Sequence, residues 1–184
     1  MLKRVFRFDR LVINRETLEF KNLRFLPDVL RLYYKYFRYL EDDFSTLASD
    51  NLAKFIDYVE KIGAHFYLVL SEDELCGFFL LERIVGNRKI LHSAEVVTCF
   101  YPKYWGTFTK YAGAEFAKYC FEILGFLKLK AIIYPQNSRV LPILKACGFK
   151  KEALLKGETI KDGLLQDVEI YAVFNTQIRR KDEN

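Results

Sequence analysis

The sequence predicts a single α/β (α+β) domain, in which a mixed, partly antiparallel sheet carries helices on both faces. Segments of helical and of strand periodicity alternate along the chain, which favours this fold class. The length of 184 residues is that of one ordinary domain. No linker, repeat or biased segment divides the chain, so residues 1–184 are expected to fold together.

The N-terminal part shows strand-like periodicity first and helical periodicity after it. Residues 10–14 and 18–23 alternate like strands. Over residues 28–39, apolar side chains at helical spacing stand opposite cationic ones, which predicts an amphipathic helix. A second helix follows, which residues 49–51 can cap and which Gly63 ends.

The rest of the chain completes the order ααβββαβαββ behind one or two leading strands. Three strand-like segments with turns between them predict an antiparallel meander. A helix, a strand, a helix ended by Gly148 and two closing strands follow. The predicted segments are residues 65–71, 75–84, 89–100, 109–124, 127–134, 138–147, 151–155 and 166–174.

The composition excludes several classes of protein. With 51% hydrophobic and 29% charged residues, the chain is neither disordered nor of low complexity. No apolar run approaches the roughly 18 residues of a membrane span, and the N-terminus lacks a signal-peptide core, so we expect a cytoplasmic protein that does not enter a membrane. A net charge of +5 over a whole domain is weak evidence for nucleic-acid binding.

The cysteines form no disulfide or metal-binding pattern. They are widely spaced, without a CxxC pair and without a histidine at ligand spacing. We expect reduced, mostly buried thiols and no metal site. The cysteines are Cys76, Cys99, Cys120 and Cys147.

The connection between a predicted strand and helix at residues 100–109 is a candidate anion site. It contains Gly106 and leads directly into the helix, where backbone N–H groups are unpaired and the helix dipole is positive. Such a place binds phosphate well. A plain strand-to-helix connection has the same pattern, so this segment alone leaves both interpretations open.

A second segment identifies a family. Residues 137–149, NSRVLPILKACGF, resemble the asparagine-to-Gly-Phe helix of the GCN5-related N-acetyltransferase (GNAT) superfamily, in the length found in its RimJ/RimL-like branch. The closing residues 148–171 are similar to the end of that branch, and residues 9–15 and 102–107 to its first strand and pyrophosphate loop. The resemblance covers roughly residues 10–174.

The resemblance implies a mostly antiparallel sheet of about seven strands that is splayed in the middle. Acetyl-CoA would lie between the strand that ends near Phe100 and the strand that ends near Tyr134. By the family's pattern, the backbone of residues 97–99 would pair with the pantetheine arm, and Asn137 would bond the cofactor, although Asn137 could also cap the helix. The implied cofactor-binding residues are Val97, Thr98, Cys99, Lys103, Tyr104, Trp105, Gly106, Thr107, Phe108, Thr109 and Asn137.

The pyrophosphate loop departs from the family's pattern at two positions. Lys103 keeps the positive charge of the usual Gln/Arg position but lacks the bidentate guanidinium. Phe108 stands where Gly or Ala normally lets the backbone approach the phosphates. Either its ring turns into the core or the loop binds the cofactor poorly, and helical spacing to residues 111–116 favours the packed ring.

Glu95 is the candidate general base. Acyl transfer to an amine needs the amine neutral, and relatives often carry the base on this strand. Apolar neighbours would bury the carboxyl and favour its protonated form, while an ion-paired structural carboxylate is the alternative. The family's usual proton donors are replaced here by Val140 and Leu144, so the sequence identifies no general acid.

The sequence therefore predicts an N-acetyltransferase that moves an acetyl group from acetyl-CoA to a primary amine by direct attack in a ternary complex. A catalytically degenerate acyl-CoA-binding module is one alternative, and a nucleic-acid-associated protein that uses the basic helix 28–39 is the other. The amine acceptor should depend on the first two helices, the loop at residues 42–49 and the final hairpin at residues 157–165. The acceptor and the oligomeric state, a homodimer among the options, stay open.

Overall fold

The computed structural model describes residues 6–45, 47, 51–87 and 89–175. The strands are β1 (Arg7–Arg10), β2 (Val12–Asn14), β3 (Glu19–Lys21), β4 (Phe66–Ser71), β5 (Glu74–Gly86), β6 (Leu91–Phe100), β7 (Phe126–Ile133), β8 (Lys150–Lys161) and β9 (Leu164–Phe174). The helices are α1 (Leu26–Lys35), α2 (Phe37–Leu40), α3 (Leu52–Ile62), α4 (Thr107–Glu122) and α5 (Leu141–Ala146). Of the described residues, seven strands form one sheet in the order β1-β4-β5-β6-β7-β9-β8, and β2 and β3 form a separate hairpin.

The sheet opens between β6 and β7. These two strands pair in parallel, whereas the other neighbours in the sheet pair antiparallel. The parallel ladder begins at Leu91 opposite Phe126 and ends at Glu95 opposite Lys130. Residues 96–100 of β6 keep their pairing with β5 but have no β7 partner in the described ladder. The mostly antiparallel, splayed sheet expected from the sequence is therefore confirmed.

Alternating side chains on β5 and β6 divide the core between the two faces of the sheet. One face packs against α4 and α5, and here the rings of Phe79 and Phe116 stack with centroids 4.3 Å apart. The other face packs against α1 and α3, where Tyr33 and Phe55 cover Phe78. We call these the α4/α5 face and the α1/α3 face.

The loop after α2 is docked on the β8–β9 hairpin. Asp43 accepts hydrogen bonds from the backbone N–H groups of Asp162 at 3.0 Å and Gly163 at 2.8 Å, which lower the pKa of its carboxyl. Thr159 Oγ1 donates to Asp42 Oδ2 at 2.6 Å. The two segments that the sequence assigned to the acceptor thus meet at one edge of the molecule.

Several predicted boundaries need correction. The helix predicted at residues 28–39 is broken at Tyr36, which has φ −114° and ψ 11°. The strand predicted at residues 10–14 is divided at Leu11, whose N–H instead donates to Phe66 O at 2.9 Å. The last hairpin is longer than predicted because β8 continues to Lys161.

The predicted cap of the second helix is confirmed in part. The Asn51 side chain accepts a hydrogen bond from Ala53 N at 2.8 Å, while Ser49 and Asp50 lie outside the described residues. Cys76, Cys99 and Cys120 are buried, and all four cysteines are free thiols. No helix in the described parts of the chain is long and apolar enough to cross a membrane.

Candidate functional site

The divergence of β6 and β7 creates a cleft of about 770 Å³, counting the solvent at its mouth. Its walls are largely apolar, with polar groups from Thr98 and Asn137. The cleft is lined by β6, β7 and α4, by the short helix α5 and by the end of α2. The lining residues used below are Tyr39, Val97, Thr98, Asn137, Val140 and Leu144.

Three of the predicted cofactor-binding residues line this cleft, namely Val97, Thr98 and Asn137. The Asn137 side chain makes no capping hydrogen bond to the turn that follows it, so the capping interpretation is not supported. Cys99 differs from its neighbours because its side chain faces α1, where Sγ lies 3.9 Å from Leu32 O. Burial raises the pKa of the Cys99 thiol to about 12, which keeps it protonated and unreactive.

The predicted anion site lies at the N-terminus of α4. Gly106 precedes the helix with φ +91° and ψ −124°, a conformation that side-chain-bearing residues rarely adopt. The first intrahelical bond joins Lys110 N to Gly106 O at 3.1 Å, so the N–H groups of residues 107–109 have no acceptor within the helix. The first turn contains no acidic residue, which leaves the positive end of the dipole uncompensated.

Several side chains of the loop at residues 103–109 make hydrogen bonds or ion pairs within the protein. The Tyr104 hydroxyl donates to Glu74 Oε2 at 2.8 Å, and Trp105 Nε1 donates to Phe100 O at 2.9 Å. Thr109 Oγ1 donates to Tyr104 O at 2.7 Å. Lys103 is exposed and forms an ion pair with Glu74. Because exposed ion pairs are weak, the Lys103 ammonium can exchange this partner for a phosphate.

Phe108 is packed rather than aimed at the phosphate path, as the sequence predicted. Its half-buried ring lies 5.1 Å from the ring of Tyr104, 5.5 Å from Phe6 and 6.3 Å from Phe100. The partners differ from those expected from helical spacing, since Phe6 comes from the N-terminal segment beside β1. Gly106 and Thr107 are exposed, whereas Thr109 is buried.

Phe108→Gly should therefore destabilise the fold without tightening coenzyme A binding. The lost ring contacts should lower the free energy of unfolding by about 3 kcal/mol, the lower end for deletion of a Phe ring, because this ring is only half-buried. Denaturant unfolding and calorimetric titration with coenzyme A measure the two quantities. Phe108→Leu is the control, which keeps most of the apolar volume. Tighter binding with an intact fold would show instead that the ring obstructs the phosphates.

Glu95 lies on the α1/α3 face, next to the point where β6 and β7 separate. It is 8% exposed, so the expected burial is confirmed. Two cations hold its carboxylate: Arg83 Nη1 lies 3.2 Å from Oε2 and Lys130 Nζ lies 3.1 Å from Oε1. Glu95 is therefore buried and ion-paired, and an ion-paired carboxylate is the alternative that the sequence left open.

Sequence reasoning missed a second carboxylate beside Glu95. Glu82 stands directly opposite it in the β5–β6 ladder and accepts a hydrogen bond from the Tyr58 hydroxyl at 2.5 Å. Burial raises the pKa of Glu82. Glu82 shares the parity of Phe78 and Leu80, which places it on the α1/α3 face, but β5 is buried on both faces over residues 75–81, so its alternation gave no signal.

The positions of the family's usual proton donors are apolar walls of the cleft, as the sequence indicated. Val140 and Leu144 both line it. Tyr39, at the end of α2, also lines the cleft and is the tyrosine among the described lining residues. Sequence reasoning missed Tyr39, because it lies behind the break at Tyr36 that the periodicity did not reveal.

The comparison with protein families decides the identity of the fold. The family described as acetyltransferase (GNAT) domain matches residues 17–150. The chain belongs to the GNAT acetyltransferase family. It is therefore an acyl-CoA-dependent N-acetyltransferase, as the sequence predicted. No curated protein sequence matches this acetyltransferase significantly.

Solved structures share the fold of this GNAT acetyltransferase at low sequence identity. The spermidine N-acetyltransferase from Vibrio cholerae in complex with CoA and spermine is 21% identical, with a TM-score of 0.67 over 92% of this chain and 95% of that one. A GNAT-family acetyltransferase from Bacillus anthracis is 17% identical, with a TM-score of 0.70 over 92% and 94%. Mycobacterium smegmatis RimJ in complex with CoA-disulfide is 16% identical, with a TM-score of 0.69 over 87% and 82%.

The residues present in the GNAT acetyltransferase fit acetyl-CoA. The free edge of β6 can pair with an extended arm that carries amide groups, and the apolar cleft suits the arm's methylene groups. At Gly106, an added Cβ would meet no other atom within 4 Å, which leaves room for a phosphate close to the backbone. The helix N-terminus then supplies N–H donors to the charge.

Proposed function

We propose that this GNAT acetyltransferase transfers the acetyl group of acetyl-CoA to a primary amine, which attacks the thioester directly in a ternary complex. The observation that carries the proposal is the cleft itself. Its β6 edge is free to bind an extended acyl donor, and the carboxylates of Glu82 and Glu95 lie on the α1/α3 face of the adjoining β5–β6 ladder. Carboxylates at this place can bind an ammonium group and receive its proton.

The donor side of the site follows the family's pattern. Acetyl-CoA, when bound, supplies the acyl group as an activated thioester. The N–H groups of residues 107–109 and the Lys103 ammonium hold the pyrophosphate, and the backbone of residues 97–99 holds the pantetheine arm. Asn137, which lines the cleft, hydrogen-bonds this arm. The full donor set is Val97, Thr98, Cys99, Lys103, Tyr104, Trp105, Gly106, Thr107, Phe108, Thr109 and Asn137.

On the acceptor side, Glu95 takes the proton of the amine, directly or through one water. Its ion pairs with Arg83 and Lys130 fix the carboxylate in place. Tyr39 is the proposed proton donor to the leaving thiolate, because it is a tyrosine that lines a cleft whose family positions for a donor are apolar. Most of the rate enhancement would come from the positioning of the two substrates.

Two observations support an amine as the acceptor. The Vibrio cholerae enzyme with the same fold acetylates spermidine by its name, and the loop docked on the β8–β9 hairpin carries the carboxylates of Asp42 and Asp43. A primary amine is the acceptor we propose. The homodimer expected as one option remains a prediction.

Acetyl-CoA should raise the melting temperature of the protein. A ligand that binds only the native state stabilises it by about 2.7 kcal/mol at a hundredfold excess over its Kd. Thermal shift measures binding, and thiol release against a panel of amines measures turnover.

Asn137→Ala should weaken the binding of acetyl-CoA by about 1–3 kcal/mol. Gln136→Ala is the matched control, since the Gln136 amide donates to Gln166 Oε1 at 2.8 Å, and it should bind like the wild type.

Two outcomes would count against the proposal. Absence of a shift at millimolar acetyl-CoA would contradict the binding of the acyl donor. A shift without thiol release with any amine would favour the degenerate acyl-CoA-binding module that Val140 and Leu144 suggested.

A further inference from the structure

Three cationic side chains lie around the mouth of the cleft, and we call them the cationic rim. They are Lys35 at the end of α1, Arg38 in α2 and Arg139 in the turn before α5. All three residues are exposed, and none of them forms an ion pair or a hydrogen bond with another residue that the structure describes. Their charges are therefore available to a ligand.

Two members of the rim are placed at the cleft by their neighbours in the chain. Arg38 precedes the lining residue Tyr39, and its Cζ lies 5.6 Å from the centroid of the Tyr39 ring. Arg139 lies between Asn137 and Val140, which both line the cleft. The two guanidinium groups thus come from elements on different sides of the same opening.

The third member, Lys35, belongs to an aromatic contact across this opening. Its Nζ lies 5.6 Å from the ring centroid of Tyr36, and the Tyr36 ring lies 5.8 Å from the ring of Trp105. Trp105 is 45% exposed. Burial raises the pKa of the Tyr36 phenol and the Arg139 guanidinium opposes this rise, as expected of a cation near the same ring.

The carboxylates close to the rim in the chain have partners of their own. Asp28 forms an ion pair with Arg31 of α1 at 3.1 Å. Glu41, Asp42 and Asp43 accept hydrogen bonds from α1 and from the β8–β9 hairpin. The positive charge of the rim is therefore not neutralised by these acidic residues.

The rim lies on the acceptor side of the sheet. Tyr36 packs against the core of the α1/α3 face, the face that also carries Glu82 and Glu95. The N-terminus of α4, which we propose as the site of the donor's pyrophosphate, belongs to the helix that covers the opposite face. The donor's phosphates thus have other partners, in the N–H groups of residues 107–109 and in Lys103.

We propose that the amine acceptor carries an anionic group, a carboxylate or a phosphate, which the cationic rim binds while the amine lies beside Glu82 and Glu95. This inference rests on the proposed function and specifies the class of its acceptor. A polyamine would bring a second positive charge towards three unpaired cations, and Coulomb repulsion disfavours it.

The separation along β6 sets the distance between the two groups of this acceptor. Val97, which lines the cleft on the α1/α3 face, lies two residues beyond Glu95. Phe100, whose carbonyl accepts the Trp105 hydrogen bond, lies five residues beyond it. At about 3.3 Å per residue these steps amount to about 7 to 17 Å. The anionic group is therefore several bonds away from the amine.

Primary amines that share an eight-carbon chain and differ in the charge of the far end test the proposal. The two anionic amines, 8-aminooctanoate and 8-aminooctyl phosphate, should have a kcat/KM at least about tenfold higher than that of 1,8-diaminooctane. The neutral octylamine should lie between them. Added salt should reduce the differences, because ions screen exposed charges. The comparison of the two anionic amines shows whether carboxylate or phosphate is preferred.

Arg38→Glu and Arg139→Glu reverse one rim charge each. Both variants should lower the kcat/KM for 8-aminooctanoate by about tenfold, raise that for 1,8-diaminooctane and leave the KM for acetyl-CoA unchanged. Lys54→Glu is the control. It makes the same change of net charge at an exposed position of α3, a helix without a described residue in the lining of the cleft. Its preference among the amines should be that of the wild type.

A calorimetric titration gives a readout without turnover. Protein saturated with coenzyme A has no acetyl group to transfer, so 8-aminooctanoate can be titrated into it at equilibrium. The Kd should rise by about tenfold in Arg38→Glu and Arg139→Glu and stay unchanged in Lys54→Glu. A Kd that is the same in all of these proteins would overturn the inference.

The kinetic outcomes separate the acceptor's class from the function on which it rests. Equal kcat/KM values for the amines, or a preference for 1,8-diaminooctane, would contradict an anionic acceptor and leave the acetyltransferase activity intact. A higher KM for acetyl-CoA in both rim variants, with an unchanged preference among amines, would assign the rim to the donor's phosphates and also overturn the inference. If no amine gives thiol release, the proposed function fails and the acceptor's class fails with it.

Discussion

Glu95→Gln should lower kcat by roughly 10² to 10⁴, because the amide cannot take a proton from the acceptor amine. Gln has nearly the same shape as Glu, and the binding of acetyl-CoA depends on other groups, so the affinity for the acyl donor should be unchanged. Steady-state kinetics at saturating amine, together with calorimetric titration of acetyl-CoA, measures these effects.

The control for this variant is Glu152→Gln. Glu152 likewise pairs with a lysine of β7, since Lys128 Nζ lies 2.6 Å from its Oε2, but it belongs to β8 and lies away from the separation of β6 and β7. Its rate should be that of the wild type. An unchanged rate for Glu95→Gln would mean that Glu95 only holds Arg83 and Lys130 in place.

Phe116→Ala should lower the free energy of unfolding by about 3–5 kcal/mol. Phe116 is 1% exposed and stacks on Phe79 at 4.3 Å, with edge contacts to Phe8 and Tyr67 at 5.3 Å each. Deleting its ring leaves a cavity between α4 and the sheet. Because Phe116 and Phe79 also line the cleft, the variant should bind coenzyme A more weakly as well.

Urea unfolding measures this loss, and Phe44→Ala is its control. Phe44 is 70% exposed, so the same substitution there should change the free energy of unfolding by less than about 0.5 kcal/mol. Equal effects at the two positions would mean that α4 does not depend on the stacked rings for its place on the sheet.

The sequence predicted the order of the elements because each has a clear local period. It failed where a contact distant in sequence overrides that period. The break at Tyr36 is one case, since the tyrosine packs against Trp105 of the loop before α4, with ring centroids 5.8 Å apart. The length of β8 is another, because its extension pairs with β9 and docks on the loop at Asp43.

The residues of the candidate site also divide into those in local motifs and those brought together by contacts distant in sequence. The loop at residues 103–109, Asn137 and Glu95 could be found because they belong to contiguous motifs that resemble the family. Glu82 and Tyr58 could not, since they come from β5 and α3 and meet only in the folded chain. An ion-paired Glu95 was one alternative, but its partners could not be named, because Arg83 comes from β5 and Lys130 from β7.

The short ladder between β6 and β7 is the connection between two blocks of the sheet. One block contains β1, β4, β5 and β6, the other contains β7, β9 and β8, and the described pairing between them spans Leu91 to Glu95 on β6. An extended ligand along the remaining edge of β6 would add hydrogen bonds where a strand is missing. Since bound ligand stabilises the native state by mass action, the two blocks should be held together more stably as the concentration of the enzyme's own substrate increases.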